Sequence, residues 1–568
     1  MKTPNKSVVV LFVVLLAGFI HTFPLWNWKE NVAGGYGDPT SHATIAQWYC
    51  GHVLTGNFHS DQFLAPFGAD MSGTYDSPFP FALTCAFGKA GTILQFHLFT
   101  LFQIWLILLG AWLVATVFIK SPVRQLAYIL FVWWCGFYVA RTHQHMTLLS
   151  SIWGIQFILY AALNLDISRF RTILVGGVLL GLSFVGTFHN IPMLSIFALI
   201  LVIYKLWEQR SKLNRKILLY LTAGVAVSLG IFLVFWWPMI AYSLKNGPVL
   251  VDSDRRAYNL DLLSPLIPFD TSLLYQWWSD LPKLSLERQN YFDPLILIIF
   301  IFSLCKRQFW KDSFRVCLLG VSIFYFIISL GPELRFNNEV LAYLDFNSEL
   351  LHSFPFRITR TPGRLLLVTN MCLIFSVFLF LEQSKEGKWK KCFSWILVAW
   401  AIFTGPLLNQ MWFFPTLKYL EVFPMAALEQ VRNMPNETIV VQVPTAWAQD
   451  PSQNFQQIFH NKKITSGYLA YTNYNKEVQE KFSKEPFLGR LGCEGESTAF
   501  EATPLMTNSE MLYNYMKMHR YEVIIVNKLI LLGNPACGKL TSWLKELVKQ
   551  PWIKVIAENN AYVVLMLP

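Results

Sequence analysis

The sequence predicts a polytopic α-helical membrane protein of about eleven transmembrane helices with a small C-terminal α/β extracytoplasmic domain. Three observations carry this. Of 568 residues, 54% are hydrophobic, 16% aromatic and only 14% charged, and mean hydropathy is +0.39, whereas a soluble domain carries about 25% charged residues. Apolar runs approaching the roughly 17–25 residues that cross a bilayer recur along the first 410 positions. From about residue 424 the pattern changes to short strands alternating with polar helices. An ordinary soluble protein and a disordered or low-complexity chain are excluded. The nine cysteines are scattered with no C-x-x-C, so neither a zinc ribbon nor a dense disulfide framework is indicated.

The apolar runs centre on 8–26, 92–118, 126–140, 146–164, 172–187, 191–204, 217–242, 292–305, 316–331, 365–381 and 392–408. The first resembles a signal peptide, with Lys2 and Lys6 before an apolar core, but no A-x-A-like site follows it, so it is read as an uncleaved helix. Lys/Arg counts test the sum of the runs, because cytoplasmic loops are enriched in them. With the N-terminus inside, residues 1–7, 119–124, 165–171, 205–216, 306–315 and 382–391 are cytoplasmic. These 52 residues hold 19 Lys/Arg and 5 Asp/Glu, while the other 516 hold 27 and 30. The whole formal charge of +11 therefore lies on one side of the membrane. It reports topology, not affinity for nucleic acid.

The long polar pieces then lie outside: the first outer loop 27–91, residues 243–291 and 332–364, and the tail. The chain divides into a membrane unit, 1–410, and an outer unit, 411–568. All nine loop or tail histidines fall on this side. In the tail, 438–443, 522–526 and 561–567 read as strands and 451–459, 509–519 and 539–549 as helices, a small α/β unit of about 140 residues. Gly533-Asn-Pro-Ala-Cys-Gly538-Lys539, read as lying between a strand and a helix, imitates a phosphate-binding loop. Leu540 stands where the Mg²⁺-binding Ser/Thr belongs, so a Gly/Pro turn is the better account. Cys493 and Cys537 are the tail's two cysteines, and an oxidising compartment would allow them to bridge.

Chemistry-bearing residues gather in the outer pieces. In Gly34-Gly35-Tyr36-Gly37-Asp38-Pro39-Thr40-Ser41-His42 the glycines free the backbone and Pro39 suits the first turn of a helix, so Asp38 stands at the head of a juxtamembrane helix. It is either a helix N-cap or a carboxylate placed where lipid head groups meet water-soluble substrates. Asp61, Asp70 and Asp76 follow. The turn Arg141-Thr-His143-Gln-His145 places two imidazoles at the same interface, to hold a metal, bond a phosphate or cap helices. Arg255, Arg256, Glu287, Arg357, Arg360 and Arg364 are charges near span ends. Arginines there bind lipid phosphate through paired N–H groups or snorkel to the interface.

These features together resemble the GT-C superfamily of polytopic membrane glycosyltransferases, and within it a bacterial, poorly characterised group. The resemblance rests on Gly37-Asp38-Pro39, Phe63-Leu-Ala-Pro66-Phe-Gly68, the His143/His145 turn, Tyr258-Asn-Leu-Asp261-Leu-Leu, Glu287 with Tyr291, Leu330-Gly-Pro332 and Arg360-Thr-Pro362-Gly-Arg364, in that order along the chain. It implies a GT-C-like fold in the bacterial cytoplasmic (inner) membrane, N-terminus cytoplasmic and C-terminal domain extracytoplasmic. It further implies transfer of a sugar from a polyprenyl-phosphate-linked donor to a glycan, lipid or protein acceptor, with inversion. Asp38 is then the candidate catalytic base. His143, His145, Arg255, Arg256, Glu287, Arg360 and Arg364 are candidates for binding substrate or lipid phosphate. The family's acidic loop is here a lone Asp38, so nothing in the sequence requires a divalent metal, and metal dependence is left open. The competing reading is a non-enzymatic or transport protein of the same fold, acting in glycan assembly or lipid-linked glycan translocation. It would want polar residues lining the mid-membrane, and the predicted spans hold almost none.

Overall fold

The computed structural model describes residues 6–35, 38–52, 57–71, 77–246, 258–269, 272–277, 284, 290–353, 355–356, 359, 361–383, 388–445, 452–465, 476–493 and 500–568. Asp76, Arg255, Arg256, Glu287, Arg357 and Arg360 lie outside the described residues.

The chain opens with α1 (Lys6–His21), strand β1 (Asn31–Ala33), helix α2 (Asp38–His52), the two-residue strands β2 (His59–Ser60) and β3 (Ala69–Asp70), and α3 (Pro78–Thr84). Then come α4 (Thr92–Phe118), α5 (Pro122–Trp133), α6 (Gly136–Gln144), α7 (Ser150–Asn164), α8 (Phe170–Phe184), α9 (Asn190–Glu208) and α10 (Arg215–Asn246). Next are α11 (Leu273–Trp277), α12 (Pro294–Leu304), α13 (Arg307–Lys311), α14 (Ser313–Ser329), the hairpin β4 (Glu333–Phe336) and β5 (Glu339–Tyr343), α15 (Asp345–His352), α16 (Leu366–Gln383) and α17 (Lys388–Ile402).

The protein is a multi-pass integral membrane protein. Among the described residues five helices are long and apolar enough to cross a bilayer, Thr92–Phe118, Met146–Asn164, Asn190–Glu208, Arg215–Ala241 and Pro362–Gln383, and α5 with α6 makes a sixth if a bent pair is one span. The count of about eleven is therefore larger than length and composition of the helices support. The runs at 8–26, 172–187, 292–305 and 316–331 form apolar helices of 11–17 residues, and at 1.5 Å per residue these fall short of a hydrocarbon core about 30 Å thick. The run at 126–140 is broken at Trp134-Cys135. Cys135 adopts extended backbone (ψ 150°), and the axes of α5 and α6 differ by 44°. Gly136 fits there because a Cβ would stand 2.5 Å from the Tyr291 carbonyl oxygen.

After α17 the chain returns to its start. Strand β6 (Thr416–Lys418) pairs antiparallel with β1, Asn31 opposite Lys418. The remaining elements are α18 (Tyr419–Val422), α19 (Met425–Arg432), β7 (Ile439–Val443), α20 (Ser452–His460), β8 (Lys463–Ile464), α21 (Lys476–Lys484), α22 (Pro504–Thr507), α23 (Ser509–Met518), β9 (Val523–Asn527), α24 (Lys528–Gly533), α25 (Gly538–Val548), β10 (Lys554–Glu558) and β11 (Tyr562–Met566). They build a mixed five-stranded sheet in the order β10-β11-β9-β7-β8. The pairs β7/β8 and β7/β9 are parallel, and β9/β11 and β10/β11 antiparallel.

Alternation along the strands divides the sheet's two faces. Val440, Val523, Ile525 and Val564 join the core that is continuous with the helical part. Ile439, Val441, Val443, Ile524, Val526 and Leu565 pack with Leu512, Met516, Leu540 and Leu544 of α23 and α25. Two disulfides close loops, Cys50–Cys85 and Cys493–Cys537. The second joins the pair singled out in the tail. The segment before Gly538-Lys539 is helix α24 and not a strand, and Cys537 is held in a disulfide, so the phosphate-loop geometry is not built.

Candidate active site

Asp38 is the first residue of α2, with Pro39 next to it. The glycine segment before it is clamped on both sides. The Gly34 amide donates to the Pro415 carbonyl at 2.8 Å and the Gly35 amide to the His143 carbonyl at 3.0 Å. Gly34 has φ +82°, and a Cβ there would strike Pro39 and the Met146 methyl, so this turn requires glycine. Below it, buried His97 accepts from the Ala33 amide at 3.0 Å and bonds the Leu25 carbonyl through its other nitrogen. The head of α2 is thereby fixed against α4 and the turn after α6.

That turn supplies the partner. His145 Nδ1 lies 2.7 Å from Asp38 Oδ2, with the two side chains 18% and 15% exposed: sheltered, yet reachable from solvent. His143 plays a different part. Its Nδ1 bonds the Val139 carbonyl one turn back at 3.2 Å, and its ring packs on Phe269. Of the two imidazoles, His145 meets the carboxylate, and His143 caps α6 while its carbonyl holds Gly35.

Arg364 sits in the 3₁₀ turn Pro362–Leu365 that leads into α16, 7% exposed. Its Nη1 donates to His189 Nε2 at 3.1 Å. A guanidinium carries no acceptor, so Nε2 of His189 is the unprotonated nitrogen. The turn is held by Gly363, whose amide donates to the Tyr258 carbonyl at 3.2 Å and whose carbonyl accepts from Asn290 Nδ2 at 2.8 Å. His189 immediately precedes α9, and its neighbour Asn190 accepts from Ser151 Oγ at 2.6 Å. The Asp38–His145 and Arg364–His189 pairs thus both lie toward the N-terminal end of α7, one just before its first turn in sequence and one beside that turn through Asn190.

The sequence pointed to Asp38, His145 and Arg364. It did not single out His189 as Arg364's partner, although that residue's place at the head of an apolar run was a usable signal. Of the other loop aspartates, Asp61 forms a 2.8 Å ion pair with Lys463, and that lysine holds its carboxyl below the usual range. Asp70 lies in β3 opposite His59. Among the described residues no group of three or more His, Cys, Asp or Glu side chains is placed to hold a metal ion.

In the C-terminal part, α20 packs against α2. Asn454 Nδ2 donates to Ser41 Oγ and the Asn454 carbonyl accepts from Thr44 Oγ1, both at 2.9 Å. All three residues are buried. A polar seam from the tail thus grips the first turns of the helix that carries Asp38.

Comparison with solved structures places this architecture. Arabinofuranosyltransferase AftD from Mycobacteria superposes with a TM-score of 0.58 at 12% identity over 100% of this chain, which spans 40% of AftD. ArnT from Cupriavidus metallidurans, solved bound to undecaprenyl phosphate, gives 0.52 at 10% identity over 99% of this chain and 98% of ArnT. The oligosaccharyltransferase AglB from Archaeoglobus fulgidus, solved with an inhibitory peptide and a dolichol-phosphate, gives 0.50 at 12% identity over 94% and 71%. At these identities the likeness is one of fold: the chain is similar to GT-C glycosyltransferases across nearly its whole length. No curated protein matches the sequence. Residues 9–403 match the family described as "Domain of unknown function (DUF6311)", and with more than half its length covered the chain belongs to that family.

Proposed function

We propose that the protein is an inverting glycosyltransferase of the extracytoplasmic face of the bacterial cytoplasmic membrane, moving a sugar from a polyprenyl-phosphate donor to a hydroxyl of a glycan, lipid or protein acceptor. The observation that carries the reading is the sheltered Asp38–His145 contact at the head of α2, in a fold shared with transferases that hold undecaprenyl phosphate and dolichol-phosphate.

In this reading Asp38 takes the proton from the acceptor hydroxyl as that oxygen forms its bond to the anomeric carbon. The bond from that carbon to the carrier's phosphate oxygen breaks, and its electron pair leaves with the phosphate. Arg364, positioned by His189, donates to the departing phosphate as its charge grows. A single displacement inverts the anomeric centre. His145 orients the carboxylate. His143, Arg255, Arg256, Glu287 and Arg360 remain candidates for the donor head group.

The sidedness rests on the Lys/Arg distribution and on the disulfides. Both Cys50–Cys85 and Cys493–Cys537 fall in pieces assigned to the oxidising side. Residues 1–410 then form the catalytic membrane unit of about eleven spans, short ones included, and 411–568 the outer unit.

The test uses the purified full-length chain with radiolabelled polyprenyl-phosphate sugars. Asp38→Asn keeps the shape and removes the base, and a loss of roughly 10²–10⁴-fold in kcat is expected. Undiminished transfer in the variant removes Asp38 from the chemistry.

A further inference from the structure

Between α14 and the span Pro362–Gln383 the chain makes the hairpin β4–β5 and then α15. The hairpin's turn is well held. Asn337 and Asn338 both have positive φ, 53° and 66°, as a two-residue hairpin turn requires. Their amides donate to the Asp261 carboxylate at 3.2 and 2.7 Å. Its flanks are bare. Every residue of β5 is exposed. Phe336, Val340, Leu341 and Tyr343 are 46%, 40%, 59% and 69% exposed, and Phe346 of α15 is 68% exposed. Leu341 is the extra residue where the register with β4 shifts, and it stands exposed beside Val340. A lone two-stranded hairpin is marginal in water, and apolar area left in water forgoes about 25 cal/mol per Å².

The hairpin's surroundings name what covers it. It grows out of α14, whose Ile323 and Ile327 are themselves exposed, so its apolar flanks continue an apolar helix side. At its base the Glu333 carbonyl accepts from Asn259 Nδ2 at 3.3 Å, and the preceding residue, Tyr258, accepts from Gly363 in the first turn of the next span. The hairpin is thus anchored at a membrane-span end, one residue step from the Arg364 turn.

We infer that β4–β5 and the start of α15 are seated in the bilayer's interfacial layer, with Phe336, Leu341, Tyr343 and Phe346 among lipid head groups and the upper acyl chains. The outer edge of β4 is bridged at Arg335, whose carbonyl accepts from the Leu262 amide at 2.9 Å, but the outer edge of β5 would cost too much in dry hydrocarbon, which fixes the depth at the interface, where tyrosine is favoured. The seating puts the neighbouring Arg364 turn at the depth of lipid phosphates. That consequence rests on the proposed function, while the seating does not.

The experiment places p-benzoylphenylalanine at position 341, and separately at the still more exposed Met518 of α23, in the full-length chain. Each form is irradiated in nanodiscs of phosphatidylethanolamine and phosphatidylglycerol and in native membranes, and its adducts are read by mass spectrometry. Lipid adducts at 341 in both, with a yield about tenfold above that at 518, are expected. A yield at 341 no greater than at 518, or a protein adduct at 341 replacing the lipid one in native membranes, overturns the inference. Sugar transfer is not part of this readout, so failure here leaves the Asp38 chemistry standing, and a failed transferase assay leaves the seating standing.

Discussion

A carboxylate that is to accept a proton must be aimed as well as present. His145 contributes aim: its Nδ1 holds one oxygen of Asp38 at 2.7 Å. Removing the imidazole leaves the charge and loses the orientation, and a misplacement of about 1 Å costs roughly 10²-fold. His145→Ala is therefore expected to lower kcat by about 10–100-fold with the KM for the donor little changed, read by steady-state transfer assays. An equal rise in KM alone would assign His145 to donor binding instead. A second histidine acts on stability. Burial drives the His460 pKa down to about 3, with the Lys462 charge adding to the effect, and its Nδ1 accepts from the Lys462 amide at 3.0 Å. The unfolded chain binds a proton below about 6.5 and the folded chain does not. Stability is then full above that value and falls with pH down to the folded value, by up to about 1.4 kcal/mol per unit. Comparing pH 7.5 with pH 5, the melting temperature of wild type should fall further than that of His460→Gln, and equal falls would show that this imidazole does not bear the load.

At the scale of elements, α20 shows what a sequence can and cannot display. The run 451–459 reads as a polar helix, and it is one, Ser452–His460. Nothing in the run says that Gln453, Asn454, Gln456 and Gln457 are buried, because a polar helix face reads as solvated unless its partner is known. The partner is α2, whose Ser41 and Thr44 are themselves small and polar. Such seams leave no hydrophobic period to detect. The Cys50–Cys85 bridge was more legible, since both cysteines lie in the first outer loop, but spacing gives no distance. The bend before α6 was illegible for a local reason: the apolar run continues through Trp134-Cys135-Gly136 although the backbone turns by 44° there. Asn454→Ala removes the donor to Ser41 and strands a buried hydroxyl, which costs about 1–3 kcal/mol. The variant is expected to melt lower by thermal denaturation in detergent and also to lose kcat, because the same contact steadies the helix that begins with Asp38. A stability loss with unchanged kcat would make α20 a brace only.

Over the whole molecule, composition and charge made the membrane class legible, since they sum over hundreds of residues and tolerate local errors in span ends. The number of spans was less legible, because apolar helices of 11–17 residues match the five longer ones in hydropathy but not in length. Sidedness can be argued from cysteines independently of either. The disulfides, Cys50–Cys85 and Cys493–Cys537, lie at the far end of the helix that carries Asp38 and in the C-terminal part. The exposed free cysteines, Cys305 and Cys392, lie at helix ends beside Lys306 and Lys391, in the Lys/Arg-rich turns. One compartment should therefore oxidise the first four and the other keep the last two reduced. In intact spheroplasts an impermeant maleimide is expected to label neither set. After an impermeant reductant it should reach the half-buried Cys50 and Cys85, and only permeabilisation should expose Cys305 and Cys392. Labelling of Cys305 or Cys392 in sealed cells would place the Lys/Arg-rich turns outside. Asp38 would then face the cytoplasm, where nucleotide sugars are at hand and a lipid-carried donor is no longer required.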